Sequence, residues 1–278
     1  MNSNRRILGH LYMGAFLFYL MLPLFVMAGA AFNDSKLPTI IPWKGFTNRW
    51  FIDLWHDTRI WGAVGNTILV ALAVVVIAVP IGTAGAILVN SISGRVRSIL
   101  YGLMVAPILI PGVVIGISTL LFWNQFSVGS GLHLSVLGQV SYIASFVMLL
   151  VLARLQSFDQ GLEEAALDLG ATHAQVMRRI LLPHLYPAIG AGAAVAFFQS
   201  IENFNVTQFT RGGADTLTVY VFSKVRSGIT PTINALALIM ITITLAVAIW
   251  YEINRRRKAR IEAARESEAR RAEALEEL

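Results

Sequence analysis

Six apolar runs, each about as long as a membrane-crossing helix, constrain this chain more than any other feature. They cover residues 11–32, 64–89, 99–123, 136–155, 188–209 and 232–253. A helix needs about 20 mostly apolar residues to cross the hydrocarbon core. Barrel strands are much shorter and alternate in polarity, so runs of this length predict helices. The expected fold is therefore an all-α membrane protein with six spans. Composition agrees: the chain is 56% hydrophobic and only 14% charged, too apolar for an ordinary soluble domain. With no cysteine, disulfides, thiolate metal sites and cysteine nucleophiles are excluded.

The net charge of +6 could suggest a nucleic-acid partner, but the placement of the cations argues against one. Arg5-Arg6, Arg95 with Arg97, Arg178-Arg179 and Arg255-Arg256-Arg257-Lys258 fall in gaps on one side of the spans. That is the pattern of cytoplasmic loops, and it puts both termini in the cytoplasm. On the other side, Lys36, Lys44, Arg49 and Arg59 are offset by Asp34, Asp53 and Asp57, while Arg211, Lys224 and Arg226 run against the rule. Trp43, Trp50, Trp55 and Trp61 in the first outer loop suit an interfacial aromatic belt. The first run follows Arg5-Arg6 as a signal peptide would, but its length and internal Pro23 favour a retained span. Pro80, Pro107 and Pro111 lie inside runs, where each can kink a helix. Gly82, Gly85, Gly112 and Gly116 permit close helix contact. The expected domain plan is a membrane domain over 1–254 and a charged tail over 255–278, solvated as a helix or disordered.

The gap at 156–187 is the most ordered polar segment. Leu162, Ala165, Ala166 and Leu169 share one face of a helix, with Glu163, Glu164 and Asp168 elsewhere. Gly170 suits a left-handed helix end. Thr172 and Gln175 have capping-box spacing. A second short helix carries Val176, Met177 and Ile180 on one face and is expected to stop before Pro183. The bland reading is a loop helix resting on lipid, but three acidic residues oppose attraction to anionic headgroups. The alternative is a protein-docking element.

Glu164-Ala165-Ala166, then Gly170, then Ile180, Leu182 and Pro183 resemble the EAA signature of bacterial ATP-binding-cassette importer permeases. The segment also has the family's position, before the last two spans. The resemblance implies the importer permease fold, and a loop that forms a coupling helix seated in a cleft of the ATPase subunit. Glu164, Ala165, Ala166, Gly170, Ile180, Leu182 and Pro183 would then serve coupling. It also implies the partners: a homologous permease subunit, an ATPase dimer, a periplasmic solute-binding protein and the lipid bilayer of the inner membrane.

A finer resemblance, to the spermidine/putrescine permease group and its second permease subunit, rests on three stretches. They are Asn66-Thr67, the segment from Pro107 to Gly116, and Gly228-Ile229-Thr230-Pro231-Thr232-Ile233-Asn234-Ala235. That group often carries acidic residues where this chain has Glu202 and Asn203; the second position departs from the pattern. A polyamine is the implied solute, with another small cationic or zwitterionic solute as the alternative.

Glu202 belongs to the fifth run, and an ionisable group inside a span normally faces a bundle interior or water. With Asn203 and Asn205 it could line a substrate pathway, or it could make a helix–helix hydrogen bond near the outer end. Trp43, Trp123 and Tyr142 could offer aromatic faces to a cation. No phosphate-binding loop occurs, so ATP hydrolysis is expected on a separate subunit and the chain is not expected to be an enzyme. His173 and His184 lie in no metal-ligand pattern, and no cofactor is implied. An ion-coupled secondary carrier would need ion-coordinating groups at broken helices; that reading, or a non-catalytic scaffold, leaves the docking loop unexplained.

Overall fold

In the computed structural model every named element is a helix, and it describes residues 3–228 and 230–276, with the backbone alone for 3–7, 258–259 and 261–276. Ile229, part of the 228–235 motif, lies outside the described residues. Among the described residues five helices are long and apolar enough to cross a membrane, or six if one bent pair counts as a span.

The chain divides into two compact units, Met1–Asp57 with Ser227–Leu278, and Thr58–Arg226. In the first unit, α1 (Ser3–Phe32) packs on α12 (Pro231–Glu276), and α12 also meets α2 (Arg49–His56). The apolar windows of both long helices are mostly exposed, with residues such as Phe18, Phe25, Ile243 and Ile249 facing outward. Lipid, not water, is the solvent such surfaces suit. The loop after α1 is organised by one buried amide. Asn33 donates to Thr39 O (2.8 Å) and Pro42 O (3.1 Å) and accepts from Lys44 N (2.8 Å). Its carbonyl accepts from the Trp50 indole at 2.9 Å, so Trp50 is a buried structural residue and not part of an interfacial belt. Ser35 is buried as well.

The second unit contains α3 (Thr58–Ser91), α4 (Gly94–Leu109), α5 (Gly112–Asn124), α6 (Leu132–Leu155), α7 (Gln160–Asp168), α8 (His173–Val176), α9 (Leu182–Ile201), α10 (Thr207–Thr210) and α11 (Leu217–Ser227). Its core is the seam of α3, α6 and α9, filled by Val70, Val74, Ile143, Val147, Val151 and Leu185. Lipid tails are as apolar as leucine, so helix association in a membrane depends on close packing. Gly82 provides it. A Cβ there would lie 2.5 Å from Ala144 O and 2.7 Å from Val147 Cβ. Val147 touches Gly192 of α9 on its other side. One valine therefore sits between two glycines and sets the spacing of three helices.

Two expected spans are not continuous helices. The 99–123 run breaks at Ile110-Pro111, and α4 and α5 meet at 103°. Pro111 has no N–H to donate, and the residue before it is pushed to extended backbone (Ile110 ψ 129°). The 188–209 run is helical to Ile201, breaks, and is helical again only from Thr207. Glu202 therefore stands at the helix C-terminus rather than inside a span. At the start of that span the expectation fails in the opposite sense. The chain does not stop before Pro183; it passes from α8 through a π-helical turn, Met177–Leu181, into α9. Pro183 falls in the first turn of α9, directly after the π turn and inside the continuous helical stretch His173–Ile201.

Candidate functional site

The backbone of the 156–187 loop is organised around α7 and α8 by local hydrogen bonds. Asp159 caps α7 by accepting from Gly161 N at 2.9 Å. At the other end Gly170 has φ 84°, a region that side-chain-bearing residues rarely enter. Gly170 N donates to Leu167 O (2.9 Å) and Ala171 N to Ala166 O (3.0 Å), the two bonds of a Schellman stop. The predicted capping box follows at once. Thr172 N donates to the Gln175 side chain at 2.8 Å, and Gln175 N donates to the Thr172 hydroxyl at 3.3 Å. Stop and start thus share three consecutive residues, Gly170, Ala171 and Thr172.

The side chains of α7, by contrast, are not covered. No α7 residue is buried. Glu164 and Ala165 are exposed, Ala166 is half-buried, and Leu169 is 90% exposed. Beneath α7 lies a cavity of about 480 Å³ bordered by Asn90, Gln156, Phe158, Glu163 and Met177. The loop is tethered at its far end. Val176 is buried, the Arg154 Nε donates to His184 O at 3.2 Å, and the Phe158 and His184 rings meet edge-on at 5.2 Å. Ile180 and Leu182 are half-buried, and Pro183 is exposed. His184 is accounted for by these contacts, and no group of three metal-ligating side chains occurs among the described residues.

The second cluster surrounds the break after α9. Asn203 is buried, and its Oδ1 accepts from Val206 N (3.1 Å) and Thr207 N (3.3 Å), replacing helix carbonyls. Its Nδ2 donates to the Tyr142 hydroxyl at 2.6 Å. Gln139, wholly buried in α6, accepts from the Ser200 hydroxyl (2.6 Å) and donates to the Thr207 hydroxyl (2.9 Å). One amide thus ties the end of α9 to the start of α10. Glu202 and Asn205, on either side of Asn203, are exposed. The bent α4–α5 pair packs here. A Cβ on Gly112 would lie 2.9 Å from Asn205 Cβ, and one on Gly116 would lie 2.9 Å from Val206 O. The motif residues Asn66 and Thr67 brace the following loop: Asn66 Nδ2 donates to Asp215 O, and Thr67 Oγ1 accepts from Leu217 N, both at 2.8 Å.

The three candidate pathway residues therefore do not form one stripe. Irregular backbone at membrane depth persists where protein or a cavity surrounds it. Sequence reasoning passed over Gln139, although a lone amide in the run Val136 to Leu155 was a visible signal.

Residues 78–260 match the family described as "Binding-protein-dependent transport system inner membrane component". The chain belongs to that family. This binding-protein-dependent membrane component is thus a multi-pass inner-membrane permease subunit, with ATP hydrolysis expected on a separate subunit. It is 34% identical to the putrescine transport system permease protein PotI of Escherichia coli (strain K12) over 87% of this chain and 89% of that one. It is 28% identical to the spermidine/putrescine transport system permease protein PotC of the same strain, over 90% and 94%. Among solved structures, a bacterial ABC transporter involved in the import of the acidic polysaccharide alginate has the same fold, with a TM-score of 0.71 at 15% identity, covering 92% of this chain and 98% of that one.

Proposed function

We propose that this permease subunit serves an importer of polyamines, and that its 156–187 loop couples the membrane domain to the ATPase. The observation that carries the coupling assignment is the contrast within the loop itself: a backbone capped at Asp159, Gly170 and Thr172, and a helix with no buried side chain. A segment made so regular without packing on its own chain is suited to a cleft in another protein. Glu164, Ala165 and Ala166 present the docking face, and Gly170 turns the chain. Ile180, Leu182 and Pro183 pass displacement into α9. ATP binding closes the ATPase dimer, the seated helices move, and this subunit and its homologous partner switch access from one side to the other. The solute-binding protein then delivers solute to the opened cavity.

The polyamine reading is supported by the two named relatives and by the Glu202 carboxylate at the helix break. A carboxylate offsets the cost of an ammonium that has left water. Asn203 and Asn205 complete the candidate pathway as neutral hydrogen-bonding groups. With one carboxylate instead of two, another small cationic or zwitterionic solute is the second reading. Screening ligands on the solute-binding protein that co-purifies with the complex tests both, and absence of any co-purifying ATPase would defeat the importer assignment.

Orientation is checked in the same membranes. The chain has no cysteine, so single substitutions report alone. Lys36→Cys and Gly129→Cys, both at exposed positions, should react with an impermeant reagent from outside. Gln175→Cys should react only after the membrane is opened. Labelling of Gln175→Cys from outside would reverse the topology and remove the coupling role.

A further inference from the structure

A second cavity, of about 500 Å³, lies between the start of α4 and the end of α6. Arg97, Ser98 and Tyr101 line it from the first two turns of α4, and Gln156, just past the end of α6, borders it. No side chain of these four has a hydrogen-bond or ion-pair partner among the described residues. The fourth group contributes an amide, the others a guanidinium and two hydroxyls, so all four can donate hydrogen bonds and the only charge is positive. The floor is apolar, formed by Leu149 and Leu152.

We infer that this cavity binds the headgroup of an anionic phospholipid. The place in the fold supports it. Gly94 opens α4 directly after the long α3, and α6 ends at Leu155, so the cavity sits where two apolar segments reach their ends. Basic pockets between spans at such a level suit phosphodiester headgroups. The volume far exceeds the roughly 30 Å³ that one water occupies in the liquid, so a lone ion would not fill it. The leucine floor gives an acyl chain a surface that a free anion or a partner's carboxylate would leave unused. Arg97 and Tyr101 hold the phosphodiester, Ser98 and Gln156 add hydrogen bonds, and Leu149 and Leu152 take the first methylenes. Gln156 also borders the cavity beneath α7. The lipid would therefore touch the root of the docking loop.

Photoreactive phosphatidylglycerol in phosphatidylcholine nanodiscs tests this with the full-length chain, alone and assembled with its ATPase. Cross-links should map to residues 97–101 and 149–156, and unlabelled phosphatidylglycerol should compete where phosphatidylcholine does not. Arg97→Gln should reduce labelling at least fivefold, Arg97→Lys should retain most of it, and Arg95→Gln, outside the cavity, should leave it unchanged. Competition by inorganic phosphate would make the ligand a soluble anion and overturn the proposal. So would labelling indifferent to Arg97, or labelling that vanishes on assembly, which would give the cavity to a partner's acidic side chain. If Arg97→Gln fails to fold, the competition series in the unsubstituted chain decides alone.

Discussion

The docking loop and the break after α9 use the same side-chain types to opposite ends. In the loop, Asp159, Thr172 and Gln175 satisfy the backbone and leave the outer face of α7 bare. At the break, Asn203 satisfies the backbone while Gln139 bonds the Ser200 and Thr207 hydroxyls, and both amides are buried. An exposed helix with a finished backbone leaves its outer face open to a partner. A buried hydrogen-bonded network holds an irregular turn in one shape, because an unpaired polar group in a low-dielectric setting is costly. Variants in the loop should therefore change assembly and transport more than unfolding. Variants at the break should change unfolding first.

The largest expected effect is that of Gly170→Val. A β-branched residue at φ 84° is strained by about 1–3 kcal/mol, and the Schellman bonds would be lost. Solute uptake should fall to background while the chain still inserts, with the unfolding temperature lowered by no more than the few degrees this local strain allows. Full uptake would end the docking assignment. Glu202→Gln comes next. Uptake should drop about 10- to 150-fold, the scale of one charge-assisted hydrogen bond at roughly 1.5–3 kcal/mol, with assembly normal; Glu202→Asp should be milder. Normal uptake in the Gln variant would remove the pathway role and leave the importer role standing.

Gln139→Leu reads the other region. It strands the Ser200 hydroxyl, while Thr207 keeps its bond to Asn203 Oδ1, at about 1–3 kcal/mol for an unsatisfied buried group, so the purified chain should unfold several degrees earlier. ATPase capture per folded molecule should be unchanged. If capture fell and stability held, the two regions would not be separable in this way. Thr172→Ala is the smallest, about 1 kcal/mol of a helix cap, and should give a partial loss of uptake that high ATPase concentration restores.

What could be read from the chain alone follows the range of the forces involved. The helix stop at Gly170 and the Thr172–Gln175 cap are set within six residues, and the structure has both. The long apolar runs are as local, since each needs only its own hydropathy. The bend at Ile110-Pro111 was signalled by two prolines four apart, but its 103° depends on α5 packing against Asn205 and Val206. The end of α9 at Ile201 was not legible. The residues that follow remain polar-apolar mixtures a helix could hold, and the break is stabilised by Gln139 from more than sixty positions earlier. The unpartnered cavity at Arg97 escaped for the same reason: Gln156 joins it through the fold, not through sequence spacing.

The π-helical turn at Met177–Leu181 has a consequence for how such a loop can change over generations. A π turn is an α-helix carrying one surplus residue. Each residue of an α-helix turns the chain by about 100°, so a surplus residue in a strict α-helix would swing α8, with α7 beyond it, that far around the axis of α9. The wider turn absorbs the surplus locally. Loss of one codon within these five positions would restore an ordinary helix and leave the aim of the loop nearly where it is. A change of length that would misdirect the loop elsewhere in the helix is tolerated here.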